Sequence, residues 1–280
     1  MTPKEYLDRY TYLSFPSPWG DEMISAGLYY YGSGWDSRNG VSGAGKFVHA
    51  ECQAFIRALR VTHHGNANTP CGKTFYLADT DSKIEATEPF YADTITHAFD
   101  GKGSPDEIID VLRLAMVIGR IGSPGDKDSA GAMCAAPTAK DYADRFMTLD
   151  CNAFVGNFVG GNPSAHISDY AQPQRARRSA AEVKPGDVIV THCAAAPYEH
   201  VGLIDYFQPV GGTALVQIAE WGWFGGQEMH YNADPKPQAI TTGPESKFGI
   251  GWAVQSNVRP VPSFRYIFAP PGENEPWGWS

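Results

Sequence analysis

Three polar side chains in the second half of the chain have the types and order that acyl transfer through a thiol requires. Cys151 opens the segment Cys151-Asn152-Ala153-Phe154-Val155-Gly156-Asn157-Phe158. Cys151, Phe154, Val155 and Phe158 fall at i, i+3, i+4 and i+7, one face of a helix with the thiol in its first turn. There the positive end of the helix dipole favours the thiolate, which is the nucleophilic form. His200 opens a run to Phe207 that reads as a strand, and Gln217 and Glu220 lie on the next such run, Ala214 to Trp221. A thiol at a helix N-terminus, an imidazole at the start of a strand and a polar group on the neighbouring strand make a nucleophile, its base and an orienting group. The backbone N–H of the cysteine supplies one donor to an oxyanion. Taken alone, the Cys151 segment suits a small buried hydrophobe better than a nucleophile.

The elements that must position these groups are legible to different degrees. Ser104-Pro105-Asp106-Glu107 is a helix start: an N-cap hydroxyl, proline at the first helical position and a glutamate three residues on. Ile108, Ile109, Leu112, Ala115 and Met116 give that helix its apolar face. Residues 123–137 read as a loop, and Thr138 caps a short helix through Tyr142 and Phe146. After residue 160 strand patterns dominate: 188–191, 200–207, 214–221, 249–254 and 264–268, with Val183 to Asp187 as a turn. Helices followed by antiparallel strands make an α+β pattern. Residues 1–45 read as loops and short elements, and Cys52, Phe55, Ile56 and Leu59 make a second helical stripe led by a cysteine. The likeness of the two stripes fits an old duplication and chance about equally. The expected organisation is an N-terminal region over 1–103, a catalytic domain over 104–270 and a loose tail over 271–280.

Composition narrows the partners. The 280 residues are enough for a real core, and a formal net charge of −9 with no basic stripe beyond Arg175 to Arg178 argues against nucleic acid. The five cysteines, at 52, 71, 134, 151 and 193, include no CxxC pair, so neither a disulfide framework nor a zinc ribbon is expected. No metal or organic cofactor is called for by thiol chemistry. No apolar run approaches membrane-spanning length. The start, Met1 to Asp8, lacks the apolar core of a signal peptide, so a cytoplasmic location or export by a route that reads no N-terminal signal is expected.

The motifs also carry a resemblance. Asp150-Cys151-Asn152-Ala153-Phe154-Val155, then Lys184-Pro185-Gly186-Asp187-Val188-Ile189, then His200-Val201-Gly202-Leu203-Ile204 resembles, in order and spacing, the NlpC family of bacterial cell-wall cysteine peptidases. The CHAP amidases belong to the same papain-like superfamily. The likeness covers roughly residues 140–225. It implies a papain-like core with the cysteine helix packed on an antiparallel sheet, Cys151 as nucleophile and His200 as base. It implies cleavage of an amide bond in peptidoglycan stem peptides, as an endopeptidase or an amidase. The third member is Glu220, an acid just after the apolar run as in CHAP proteins, with Gln217 as the alternative. Asn152 and Ala153 replace the family's usual Ser-Gly. Its Tyr-rich stretch has its nearest likeness at Tyr29-Tyr30-Tyr31-Gly32, before Cys52, which keeps Cys52 open as a rival nucleophile.

Other readings stay open beside these. Trp221, Trp223 and Phe224 wall a substrate groove or pack in the core. His192 lines the cleft or is a hydrogen-bonded loop residue. A transferase that passes the thioester to an amine, or a non-catalytic binding module, fits the same pattern. A secreted antibacterial effector, a phage protein and an intracellular enzyme are all compatible with the sequence, and the first brings an immunity or inhibitor protein as a further partner.

Overall fold

A computed structural model describes residues 1–17, 20–25, 43–63, 72–76, 83–90, 92–128, 130–147, 149–193, 196–221, 229–231, 233–255 and 262–272. Tyr29 to Tyr31, Trp223, Phe224 and the tail from 273 lie outside these residues. The protein is a mixed α+β structure with several helices and a curled antiparallel sheet. Its chain forms two compact units, one of residues 1–8 with 151–280 and one of residues 9–150.

The helical unit runs from inside α1 (Pro3–Thr11) through a hairpin of β1 (Leu13–Ser17) and β2 (Gly20–Ile24) to α2 (Gly43–His63). A second hairpin, β3 (Gly72–Tyr76) and β4 (Lys83–Phe90), precedes α3 (Ala92–Phe99), α4 (Pro105–Val117) and α5 (Ala139–Phe146). The α4 start is as the sequence reads. Ser104 Oγ accepts from Glu107 N at 3.2 Å, and Ser104 N donates to Glu107 Oε2 at 2.7 Å. Ser104→Ala is expected to cost about 1 kcal/mol of unfolding free energy in a urea melt. Thr138 caps α5 by accepting from Asp141 N at 3.0 Å.

One boundary differs from the expectation. The division by packing falls at Asp150/Cys151 rather than after residue 103, because α4 packs on α3, β1 and β4, and α5 on α2. The short elements expected over residues 1–45 are, among the described residues, α1, β1 and β2, and the helix has a start the sequence reading did not single out. Thr2-Pro3-Lys4-Glu5 repeats the device of α4: Glu5 N donates to Thr2 Oγ1 at 3.1 Å and Thr2 N to Glu5 Oε2 at 2.7 Å.

The sheet unit opens with α6 (Cys151–Phe158), followed by α7 (Ile167–Tyr170). Its strands are β5 (Val188–Cys193), β6 (Ala196–Val210), β7 (Thr213–Trp221), β8 (Met229–Tyr231), β9 (Lys236–Ala239), β10 (Thr241–Thr242), β11 (Ile250–Gln255) and β12 (Pro262–Phe268). The order is β10-β11-β12-β5-β6-β7-β8, with β9 also pairing β7. The two last strands thus return to pair beside β5, so that β5 and β6 are central.

Register assigns the faces. Thr191 stands opposite both His200 and Arg265, and Ile189 opposite both Gly202 and Ile267. Gly202 in turn faces Glu220, and Ile204 faces Ile218. Directly opposed residues share a face, as do residues two apart on a strand. Thr191, His200, Glu220 and Arg265 therefore share one face with the apolar cluster of Ile189, Ile204, Ile218, Trp252 and Ile267. The Pro185-Gly186-Asp187 motif is structural. Gly186 takes φ +88° in the turn and donates to Ile204 O at 2.7 Å, which fixes the entry of β5 beside β6. Asp187 is held by Arg177 at 2.8 and 2.5 Å.

Candidate functional site

Cys151 is the first residue of α6, as the stripe predicts, and α6 packs on β6 and β7. The residue is 6% exposed, with Phe154 and Val155 fully buried on the same helix. Tyr6 stacks on Phe154 and Phe158 with centroids 5.8 and 5.6 Å apart, so the first turns of α1 support the cysteine helix. Tyr170 of α7 donates to Asn152 O at 3.3 Å.

His200 meets this helix from β6. The Cys151 sulfur adjoins the imidazole closely enough to interact with it electrostatically, and it also lies 3.8 Å from Asn152 Oδ1. On the far side, His200 Nε2 stands 3.2 Å from Glu220 Oε2. Glu220 is held in turn by Arg265, whose Nη2 donates to Oε1 at 3.2 Å and Oε2 at 2.9 Å. The result is a row from Cys151 through His200 and Glu220 to Arg265, all of it buried.

Gly202 makes room for the row. A Cβ there would sit 2.9 Å from Glu220 Cβ and 3.5 Å from Glu220 Oε2. The glycine of His200-Val201-Gly202 thus lets the acid of β7 close on the imidazole two residues earlier.

The electrostatics follow from burial and order. Burial alone lowers the proton affinity of His200, but the Cys151 sulfur and the Glu220 carboxylate outweigh it and raise its pKa to about 9. Burial likewise pushes Glu220 up, but Arg265 and His200 overcome this and bring it down to about 2. The arrangement favours a carboxylate beside an imidazolium, the pair that is left once a thiol has handed its proton to the ring.

The other candidates are not brought here. Gln217 is three residues from Glu220 and so points to the other face of β7, where its amide donates to Ala233 O at 2.6 Å. Gln217, the alternative third member, is thus not brought to His200, whereas Glu220 is. Trp221 is fully buried and is a core residue, not a groove wall. His192 follows Thr191 on β5 and faces away from His200. Its Nε2 lies 3.1 Å from Glu245 Oε1 and its ring packs on Phe248 and Tyr266. Trp223 lies outside the described residues.

Cys52 is no rival nucleophile. It is fully buried on α2, and burial, reinforced by Asp100 and Glu51, pushes its thiol up to about 12. Among the described residues no group of three or more His, Cys, Asp and Glu could hold a metal ion, and no helix is long and apolar enough to cross a membrane.

Sequence reasoning missed Arg265. Its signal was present: an arginine inside Phe264-Arg265-Tyr266-Ile267-Phe268 must bury its charge, and a buried charge demands a counter-charge. Comparison of the chain with protein-family models, with curated proteins and with solved structures finds no match.

Proposed function

We propose that this chain is a papain-like thiol hydrolase that cleaves an amide bond. The observation that carries the reading is the contact of Cys151 with His200 and of His200 with Glu220. The sulfur gives its proton to the imidazole and attacks the carbonyl carbon. The S–C bond forms as the carbonyl π pair moves to oxygen, giving a tetrahedral oxyanion beside the N-terminus of α6. Collapse breaks the C–N bond, and the imidazolium protonates the departing nitrogen. Water then attacks the thioester as His200 takes its proton. The S–C bond breaks, and the thiol is regenerated. Glu220 keeps the ring oriented and balances its positive charge throughout.

The stem peptides of peptidoglycan are the substrate this reading favours. That choice rests on the resemblance of the three ordered motifs to the NlpC and CHAP enzymes. The test is digestion of purified peptidoglycan by the wild type and by Cys151→Ala, with soluble products read by mass spectrometry. New peptide termini are expected with the wild type and none with the variant. Equal release by both rejects Cys151 as nucleophile. Release by neither rejects the wall substrate.

A further inference from the structure

The reaction as drawn makes no use of Arg265. Its side chain is buried on a strand where Phe264, Tyr266, Ile267 and Phe268 are buried too. An apolar residue there would serve the fold at least as well, since a buried ion pair is weak support for stability. The contact also spans two strands. β12 and β7 are separated by β5 and β6, which on a flat sheet is three spacings, or ~14 Å, yet Nη2 reaches both oxygens of Glu220. Oε2 sits between two cationic groups, 2.9 Å from Nη2 and 3.2 Å from His200 Nε2.

We propose that Arg265 is a positioning residue for the thiol chemistry, fixing Glu220 as an oriented carboxylate so that Glu220 can hold His200 against Cys151. The inference rests on the thiol-hydrolase reading of the site. A buried carboxyl without a cation drifts toward its neutral form. A neutral Glu220 no longer balances an imidazolium, and His200 then gives up its proton more readily. Among the described residues, the charged and titratable groups facing the pair are Cys151 from α6, His200 from β6 and Arg265 from β12; His230 of β8 stands opposite Glu220 in the ladder. Both oxygens take the same nitrogen of Arg265, so a single ammonium can stand in for the guanidinium.

The full chain tests this without a substrate. Two readouts apply: the His200 imidazole titration by NMR, assigned by its loss in His200→Gln, and the pH dependence of Cys151 alkylation by iodoacetamide. Arg265→Gln is expected to lower the proton affinity of His200 on the order of tenfold, a shift of about one pH unit. Alkylation near neutral pH falls with it, and Arg265→Lys restores most of both. The double variant Glu220→Gln/Arg265→Gln is expected to match Glu220→Gln alone, because the arginine acts only through the acid. That double variant removes both buried charges, so it carries the test if Arg265→Gln fails to fold. A His200 raised in the wild type and unmoved in Arg265→Gln overturns the proposal alone, as does a double variant clearly below Glu220→Gln. A wild-type His200 with an ordinary titration overturns the thiol-hydrolase reading beneath it.

Discussion

His200→Ala is expected to lower amide hydrolysis on the order of 10⁴-fold, because members of a catalytic triad act as a unit. The imidazole is 1% exposed and touches both Cys151 and Glu220, so no solvent base can take its place. Product release from peptidoglycan, followed over time, measures the loss. The fold should survive, since Glu220 keeps its partner in Arg265. The same substitution changes how stability depends on pH. The folded pKa of His200, about 9, lies above its ordinary ~6.5. Its contribution to stability is therefore full below ~6.5 and is lost as the pH rises through about 9. Glu220, lowered to about 2, acts at the other end: its contribution is present above ~4.5 and fades as the pH falls through about 2. Urea midpoints of the wild type should decline between neutral pH and pH 9, and those of His200→Ala should stay level over that window. A parallel decline in both would show that the imidazole carries no extra charge in the folded state.

Arg120→Met is expected to destabilise the helical unit by about 3–5 kcal/mol, the cost of leaving buried charge without its counter-ion. Arg120 donates Nε to Glu51 Oε1 at 2.8 Å and Nη2 to Glu51 Oε2, and Nη1 reaches Asp128 Oδ2 and Met133 O, each at 2.8 Å. Tyr142 adds a hydrogen bond to Glu51 Oε1 at 2.7 Å. One guanidinium thus joins α2, the segment after α4 and the α5 side chain Tyr142. Arg120, Glu51, Asp128 and Tyr142 are all buried. Without the arginine, two carboxylates remain in an apolar setting and must either protonate or open the packing. Urea unfolding is the measurement. Lys140→Ala, which breaks an exposed pair with Asp144, is the control and should leave the midpoint unchanged. Restoring most of the loss with the triple change Arg120→Met/Glu51→Gln/Asp128→Asn would attribute it to stranded charge. No restoration would point to lost packing.

The Cys151–His200 pair was legible from local pattern, although only Cys151 stands at an element boundary; β6 begins at Ala196, four residues before His200. Cys151 leads a stripe at helical spacing, and His200 lies in a run rich in strand-forming residues. The third group was legible too, though only by parity. Gln217 and Glu220 differ by three positions on a strand and cannot both face His200. The same arithmetic sends Trp221 to the face opposite Glu220, and His192 to the face opposite Thr191, so neither tryptophan nor histidine could join the row. Arg265 was hidden for a different reason. Its partner lies on a strand three places away in the sheet, and nothing local tells that the last strand returns beside β5. α1 escaped because its capping signal, Thr2-Pro3-Lys4-Glu5, stands at a terminus where order depends on packing. Tyr6 and Leu7 are buried in that helix, and Lys4 N caps onto Asp205 Oδ1 at 2.9 Å, a partner 201 residues away.

That last bond sets an order of events on the ribosome. Residues 1–8 leave the exit tunnel well before Phe154, Phe158 and Asp205, which they bind, have been translated. At about 5–20 residues per second the wait for Asp205 is roughly 10–40 s. Residues 9–150 have their own core and can close in that interval. The nascent cysteine helix then meets in Tyr6 a neighbour made long before it.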